Sequence, residues 1–137
     1  MILLDSNIFI YAALPEHIFL REMMRKRVLA TSMVSRIEVL GYHRMTLEQA
    51  DFLERLLDMA ELLSLSFPIA ERAVLLRQQR RMSLGDAIVA ATALEYGMPL
   101  WTRNSKDFSW VVGLVVHDPF NNISAVGGSP AQSTETE

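Results

Sequence analysis

Ile2-Leu3-Leu4-Asp5-Ser6-Asn7 decides how the rest of the chain is read. Three consecutive apolar residues suit a buried strand, and the abrupt change to Asp, Ser and Asn suits the turn or helix cap that ends it. A carboxylate is thereby placed at the carboxyl end of a strand, where open α/β sheets bind their ligands. Further apolar runs at Val28 to Thr31, Leu62 to Leu65, Pro99 to Thr102 and Val111 to His117 alternate with helical patterns. This alternation predicts an α/β fold with a mainly parallel sheet.

The helices between these strands carry their own start and stop signals. Thr46-Leu-Glu-Gln49 is a capping box, and Ala50, Leu53, Leu56, Leu57, Ala60 and Leu63 follow at helical spacing. Asp51, Glu54, Asp58 and Glu61 line the opposite, solvated face. Pro68 suits the first turn of a helix running to about Arg81, and another helix is expected from Ser83 to a left-handed cap at Gly97, with Pro99 barring continuation. One domain is expected over residues 1–123. From Ser124 to Glu137 the chain is small, polar and rich in Gly, Pro and Ser, which reads as a disordered tail without chemistry.

Composition removes several classes of function. The 137 residues are 50% hydrophobic and 21% charged, too apolar for general disorder. No apolar run reaches the roughly 18 to 20 residues of a membrane span, and Met1-Ile-Leu-Leu-Asp5 lacks the basic start of a secretory signal, so a cytoplasmic protein is expected. The absence of cysteine excludes disulfide scaffolds, cysteine-ligated zinc, iron–sulfur clusters and thiol catalysis. A net charge of −3 argues against nucleic-acid binding at first sight, but without Glu135 and Glu137 the chain has 14 acids and 13 bases. Two bound divalent cations turn that balance positive, which removes the objection to a phosphate substrate.

Four polar positions fall at element ends or interrupt apolar faces. Asp5 follows the first strand, as a metal-ligating acid or an Asx turn or cap. In the helix expected from Met33 to Tyr42, Glu38 interrupts the stripe of Val34, Ile37 and Gly41, where a buried carboxylate needs a cation, a metal or a proton. Ser83-Leu-Gly-Asp86 reads as a helix cap, yet the small residues Gly85, Ala87, Ala90, Ala91 and Ala93 also suit a helix packed tightly on a sheet, holding Asp86 rigidly. Thr102, Asn104 and Asp107 follow a later strand. Were these groups to meet on one rim, they would make the all-oxygen ligand set that Mg2+ or Mn2+ prefers. His17, His43 and His117 have no ligand-like spacing.

The same stretches carry a family resemblance. Leu3-Leu-Asp-Ser-Asn-Ile-Phe-Ile-Tyr11, Ser35-Arg-Ile-Glu-Val-Leu-Gly41, Leu84-Gly-Asp-Ala-Ile-Val-Ala-Ala-Thr-Ala93 and Leu100-Trp-Thr-Arg-Asn-Ser-Lys-Asp-Phe108 resemble, in order, the motifs of PIN-domain proteins and of VapC toxins in particular. The resemblance implies a three-layer α/β/α sandwich, a Mg2+- or Mn2+-dependent ribonuclease, a VapB-like antitoxin partner and homodimers. Carried over by position, Asp5, Glu38 and Asp86 match the catalytic acids and Asn7 the supporting polar residue; Thr102 is a further supporting candidate. Many members have Asp where this chain has Asn104; the fourth metal ligand is then Asn104 or the nearby Asp107. Asp5 and Asp86 are expected to bind metal directly, with Glu38 ligating or orienting the attacking water.

Arg77, Arg80 and Arg81, with Arg72, precede the Asp86 motif and are candidates for holding RNA phosphates. Met23, Met24, Met33, Met45 and Met59 enrich the helices in a residue that suits both cores and adaptable partner surfaces. Two other readings compete. A receiver-like phosphoacceptor would need paired acids near the first strand and a well-placed late lysine, whereas only Asp5 stands there and Lys106 is poorly placed. A catalytically silent PIN-like module that only binds RNA or protein is kept open by Asn104.

Overall fold

Side chains alternate across the strands, and this sorts the interior into two cores. The computed structural model describes residues 1–121; the tail expected from Ser124 lies outside them. Strands β1 (Ile2–Leu4), β2 (Leu29–Ser32), β3 (Glu61–Leu63), β4 (Leu100–Trp101) and β5 (Val116–His117) form one sheet in the order β3-β2-β1-β4-β5. All four pairings are parallel. Ile2, Leu4, Leu29 and Trp101 face one core, whereas Leu3, Ala30 and Leu100 face the other.

Helices close both faces. Helices α1 (Ser6–Ala12), α2 (Ile18–Arg25), α3 (Met33–Leu40) and α4 (Leu47–Asp58) supply Ile8, Phe9, Leu20, Met24, Val39, Leu53 and Leu57 to the first core. Helices α5 (Phe67–Gln79) and α6 (Leu84–Tyr96) supply Ile69, Ala73, Leu76 and the continuous buried run Ala87 to Ala93 to the second. The result is the expected three-layer α/β/α sandwich. Small side chains explain the position of α6: Ala87, Ala90, Ala91 and Ala93 let its backbone lie close to the sheet.

Local signals set the helix ends. In α4, Gln49 N–H donates to Thr46 Oγ1 and Thr46 N–H donates to Gln49 Oε1, each at 3.1 Å. Asp86 N–H donates to Ser83 Oγ at 3.1 Å to open α6, and Gly97 closes it at φ 64°, a conformation that favours glycine. Among the described residues, no helix is long and apolar enough to cross a membrane.

The structure departs from the sequence pattern at three places. The run expected as a strand from Val111 to His117 is strand only at Val116–His117, because Gly113 turns the chain at φ 87° and leaves Val112 90% exposed. The α4 periodicity overruns: the helix stops at Asp58, and Leu63 belongs to β3, which lies at Glu61–Leu63 rather than Leu62 to Leu65. Glu38 does not lie in a buried stripe. The Ser32 hydroxyl accepts from Ser35 N–H at 3.1 Å and fixes the phase of α3, which turns Ser35 and Val39 inward and leaves Glu38 exposed and Ile37 64% exposed.

Candidate metal centre at the switch of the sheet

The chain builds β2 and β3 outward on one side of β1 and then returns to place β4 on the other. The strand order therefore reverses between β1 and β4, and the crevice at their carboxyl ends is the site an open sheet of this kind offers to a ligand. Asp5 follows β1 and Thr102 follows β4 across this switch. They are joined directly: Thr102 Oγ1 donates to Asp5 Oδ2 at 2.8 Å. Ser6 N–H donates to the other oxygen at 2.8 Å, so Asp5 is both the cap of α1 and a floor residue of the crevice.

Thr102 is buried and organises the rim. Its hydroxyl oxygen accepts from Asn104 N–H at 3.0 Å and from Asn7 Nδ2 at 3.4 Å, while Asn7 Oδ1 accepts from Arg103 N–H at 3.2 Å. Asn7 thus ties the loop after β4 to the start of α1. Arg103, which the sequence reading did not single out, extends over the rings of Phe120 (3.8 Å) and Tyr11 (4.9 Å).

The acids crowd one another. Burial pushes the Asp5 carboxyl up from its ordinary value of 3.8 to about 6; the bonds from Thr102 and Ser6 oppose this, and repulsion from Asp86 and Glu38 adds to it. Asp86, half-buried at the start of α6, is also raised, first by burial and then by Asp107, with Ser83 opposing and Glu38 adding. Glu38 reaches this pair from α3. A Cβ built on Gly85 would stand 2.8 Å from Glu38 Oε2, so the absence of a side chain at position 85 leaves room for that carboxylate next to Asp86.

No basic side chain neutralises this group: the ion pairs among the described residues engage Glu22, Asp51, Asp58 and Glu95 instead. Nor, among those residues, is any set of three His, Cys, Asp or Glu side chains already gathered into a metal cage. Asp5 and Asp86 could hold a cation; Glu38 and Asp107, whose charges act on Asp86, are exposed. Asn104 is exposed beside them, and its side chain makes no cap bond.

The arginines divide. Arg80 and Arg81 line a pocket of about 390 Å3 that includes Asp86 and Asp107. Arg77 instead donates from Nε to the Met82 carbonyl at 3.1 Å, and Arg72 pairs with Glu95 at 3.2 Å, tying α5 to α6. Lys106 and Trp110 also line the pocket and were missed as site residues, since nothing in their local sequence places them opposite the end of α5. The histidines lie elsewhere: His17 packs among Tyr11, Phe19 and Phe120, His43 is exposed, and His117 packs on Trp101, with burial holding its imidazole below the usual range.

Comparison with known proteins agrees with this architecture. Residues 2–112 match the family model described as PIN domain. A chain of a toxin–antitoxin complex from Klebsiella pneumoniae is 31% identical, with 87% of this chain and 98% of that one covered and a TM-score of 0.69. VapBC-1 from nontypeable Haemophilus influenzae shares the fold at 24% identity, covering 86% of this chain and 98% of that one with a TM-score of 0.69. VapBC2 from Rickettsia felis, bound to a DNA fragment from its promoter, does so at 21% identity, with the same coverage and a TM-score of 0.71. No protein of curated function matches the chain. With its motifs in order on this sheet and the family model spanning residues 2–112, the chain belongs to the PIN-domain family.

Proposed function

We propose that the chain is a Mg2+- or Mn2+-dependent endoribonuclease, the toxin of a VapBC-type pair. One observation carries the reading: at the switch of the sheet the Asp5 carboxyl is buried, raised to about 6 by that burial and further by the charges of Asp86 and Glu38, and no ion pair among the described residues engages it. Such a group is expensive unless a proton or a cation joins it, and an all-oxygen donor set suits a hard divalent ion. Asp5 and Asp86 would hold the ion, with Glu38 and either Asp107 or Asn104 completing its surroundings. When bound, it supplies Lewis-acid chemistry, lowering the pKa of water and offsetting phosphate charge.

The chain's own groups do the rest. Ser6 and Thr102 fix Asp5 in one orientation, and Asn7 holds Thr102 and the loop behind it. Glu38, exposed on α3, is free to orient a water and accept its proton. Arg80, Arg81 and Lys106 flank the acids and can hold the RNA phosphates. In-line attack of that water on phosphorus, its proton passing to Glu38, breaks the bond to the 3′ oxygen, which takes a proton from solvent and leaves a 5′-phosphate and a 3′-hydroxyl. Incubating the purified chain with RNA in Mn2+ and analysing the new ends tests this: internal cuts with those ends support it, whereas intact RNA would favour a silent binding module.

Metal should also stabilise the fold, and in a pH-dependent way. An acid whose pKa is raised by folding penalises the folded state once ionised, so for Asp5 the penalty is absent below about 4 and complete well above 6. Millimolar Mn2+ is therefore expected to raise the melting temperature by several degrees at pH 7.5 and by less than half as much at pH 5.5, where protons already relieve the repulsion. Asp107 is the first charged neighbour to act on Asp86. Hence Asp107→Asn should shrink the Mn2+ shift, and Asn104→Asp should enlarge it. Equal shifts at both pH values, or none, would contradict a site formed by these carboxylates.

For partners, the reading includes a VapB-like antitoxin and a homodimer. Exposed apolar side chains support it: Met59 is 75% exposed, and Leu65, Val74 and Leu84 line an apolar groove of about 540 Å3 between α5 and α6. Met23, Met24 and Met45 serve the first core instead, and Met33 is half-buried. Light scattering at tens of micromolar should show a dimer; a monomer alone would remove that part of the reading.

A further inference from the structure

The pocket beside Asp86 combines a flat aromatic surface with cations. Trp110 packs on the second core, and its indole Nε1–H donates to the Asp107 carbonyl at 3.0 Å, which fixes the ring against the loop carrying the acids. Over the ring lies the Arg80 guanidinium, 4.9 Å from its centre. Arg80 leaves the end of α5 in an extended conformation, which swings its side chain across to the β4 loop. Among the described residues no ion pair engages Arg80, Arg81 or Lys106, so their charges are available to a ligand.

We propose that this pocket is a subsite for one unpaired RNA base next to the scissile phosphate, with Trp110 as its stacking platform and Arg80 as a placeholder that turns to a phosphate when the base enters. The proposal rests on the ribonuclease reading and adds what that reading leaves open, namely the state of the nucleotide at the cut. A nucleic-acid strand offers both things the pocket can hold: a planar base and negative phosphates. Stacking of a base on an aromatic ring is stronger than an exposed cation–π contact, so the exchange of Arg80 for a base is favourable, and the released guanidinium gains a phosphate. A paired base has both faces covered by its neighbours in the duplex, so only an unpaired nucleotide can enter.

Binding in EDTA, where the metal-dependent reaction is stopped, tests the subsite by itself. The probes are a short single-stranded RNA, an abasic ribose-phosphate strand of equal length and charge, and a duplex RNA of that length. Affinity is read from the anisotropy of end-labelled probes in every variant, and because Trp101 is only 4% exposed, quenching of wild-type tryptophan fluorescence by added RNA reports Trp110. The single strand is expected to quench and to bind about tenfold more tightly than either the abasic strand or the duplex. Trp110→Ala should reduce it to the abasic level, and Trp110→Phe should retain most of the preference. Equal binding of single-stranded and abasic RNA by the wild type, or unchanged binding by folded Trp110→Ala, would overturn the subsite. Because Trp110 packs on the core, the comparison of probes on the wild type decides if the alanine variant fails to fold. Adding Mn2+ back to the same mixture judges cleavage separately: uncut RNA overturns the ribonuclease reading, while the EDTA titrations judge the subsite.

Discussion

Asp5→Asn is expected to reduce RNA cleavage by about three orders of magnitude or more while leaving the metal-free protein at least as stable as the wild type at pH 7.5. The loss follows from removing a charge that holds the cation, since a divalent ion's contribution to phosphoryl chemistry amounts to several kcal/mol and each 1.4 kcal/mol is about tenfold in rate. The stability follows from the sign of the shift. Raising the Asp5 carboxyl from 3.8 to about 6 means that its ionised form costs the folded state about 3 kcal/mol at neutral pH. A neutral amide avoids this. Its oxygen keeps the bond from Ser6 N–H, but its NH2 turns toward Thr102, whose hydroxyl loses its acceptor, at a cost of about 1 kcal/mol. The balance favours the variant at pH 7.5 by a few degrees of melting temperature, and the advantage should vanish near pH 4, where wild-type Asp5 is protonated as well. A metal-free variant that melts well below wild type at pH 7.5 would show that the carboxylate serves the fold rather than the chemistry.

Gly85→Ala carries the second large effect. The added Cβ would meet Glu38 Oε2 at 2.8 Å and Val34 Cγ2 at 3.9 Å, so the terminal carboxylate must move, and it can, being the end of a flexible and exposed side chain. Folding should be little affected or improved by up to about 1 kcal/mol, because alanine favours the helix over glycine. Activity should fall about tenfold to a hundredfold, since Glu38 is displaced from its position beside Asp86. Comparison with Glu38→Gln in the same assay and melt separates the causes: if Gly85→Ala is fully active, the placement of Glu38 against Gly85 has no part in catalysis.

The residues that were easiest to read are those whose local and tertiary roles coincide. Asp5 ends an apolar triplet, caps a helix and stands at the sheet switch, so the change from Leu4 to Asp5 to Ser6 marks all three at once. Ser83 and Gly97 likewise bracket α6 by capping chemistry that needs no knowledge of the rest of the chain. Glu38 was harder. Counting Ile37 as interior rotated α3 by about one residue, although the cap at Ser32 followed by Ser35 and Val39 fixes the correct phase. Its nearness to Asp86 depends on a missing side chain at Gly85, a relation between two helices that no spacing within either reveals. The strand expected over the Val111 to His117 run failed for a local reason, the positive φ of Gly113, while β3 was blurred because its Glu61 and Leu62 are exposed at the sheet edge. Trp110 and Arg80 meet only in the folded chain.

The claim that Asp5 and Asp86 together hold a divalent cation is tested most directly by anomalous diffraction from crystals of the protein grown with Mn2+. A manganese peak bonded to an oxygen of Asp5 and an oxygen of Asp86 is expected, as is the loss of that peak in Asp86→Asn. Well-ordered crystals in millimolar Mn2+ with no peak at these two carboxylates, or an unchanged peak in the variant, would contradict it.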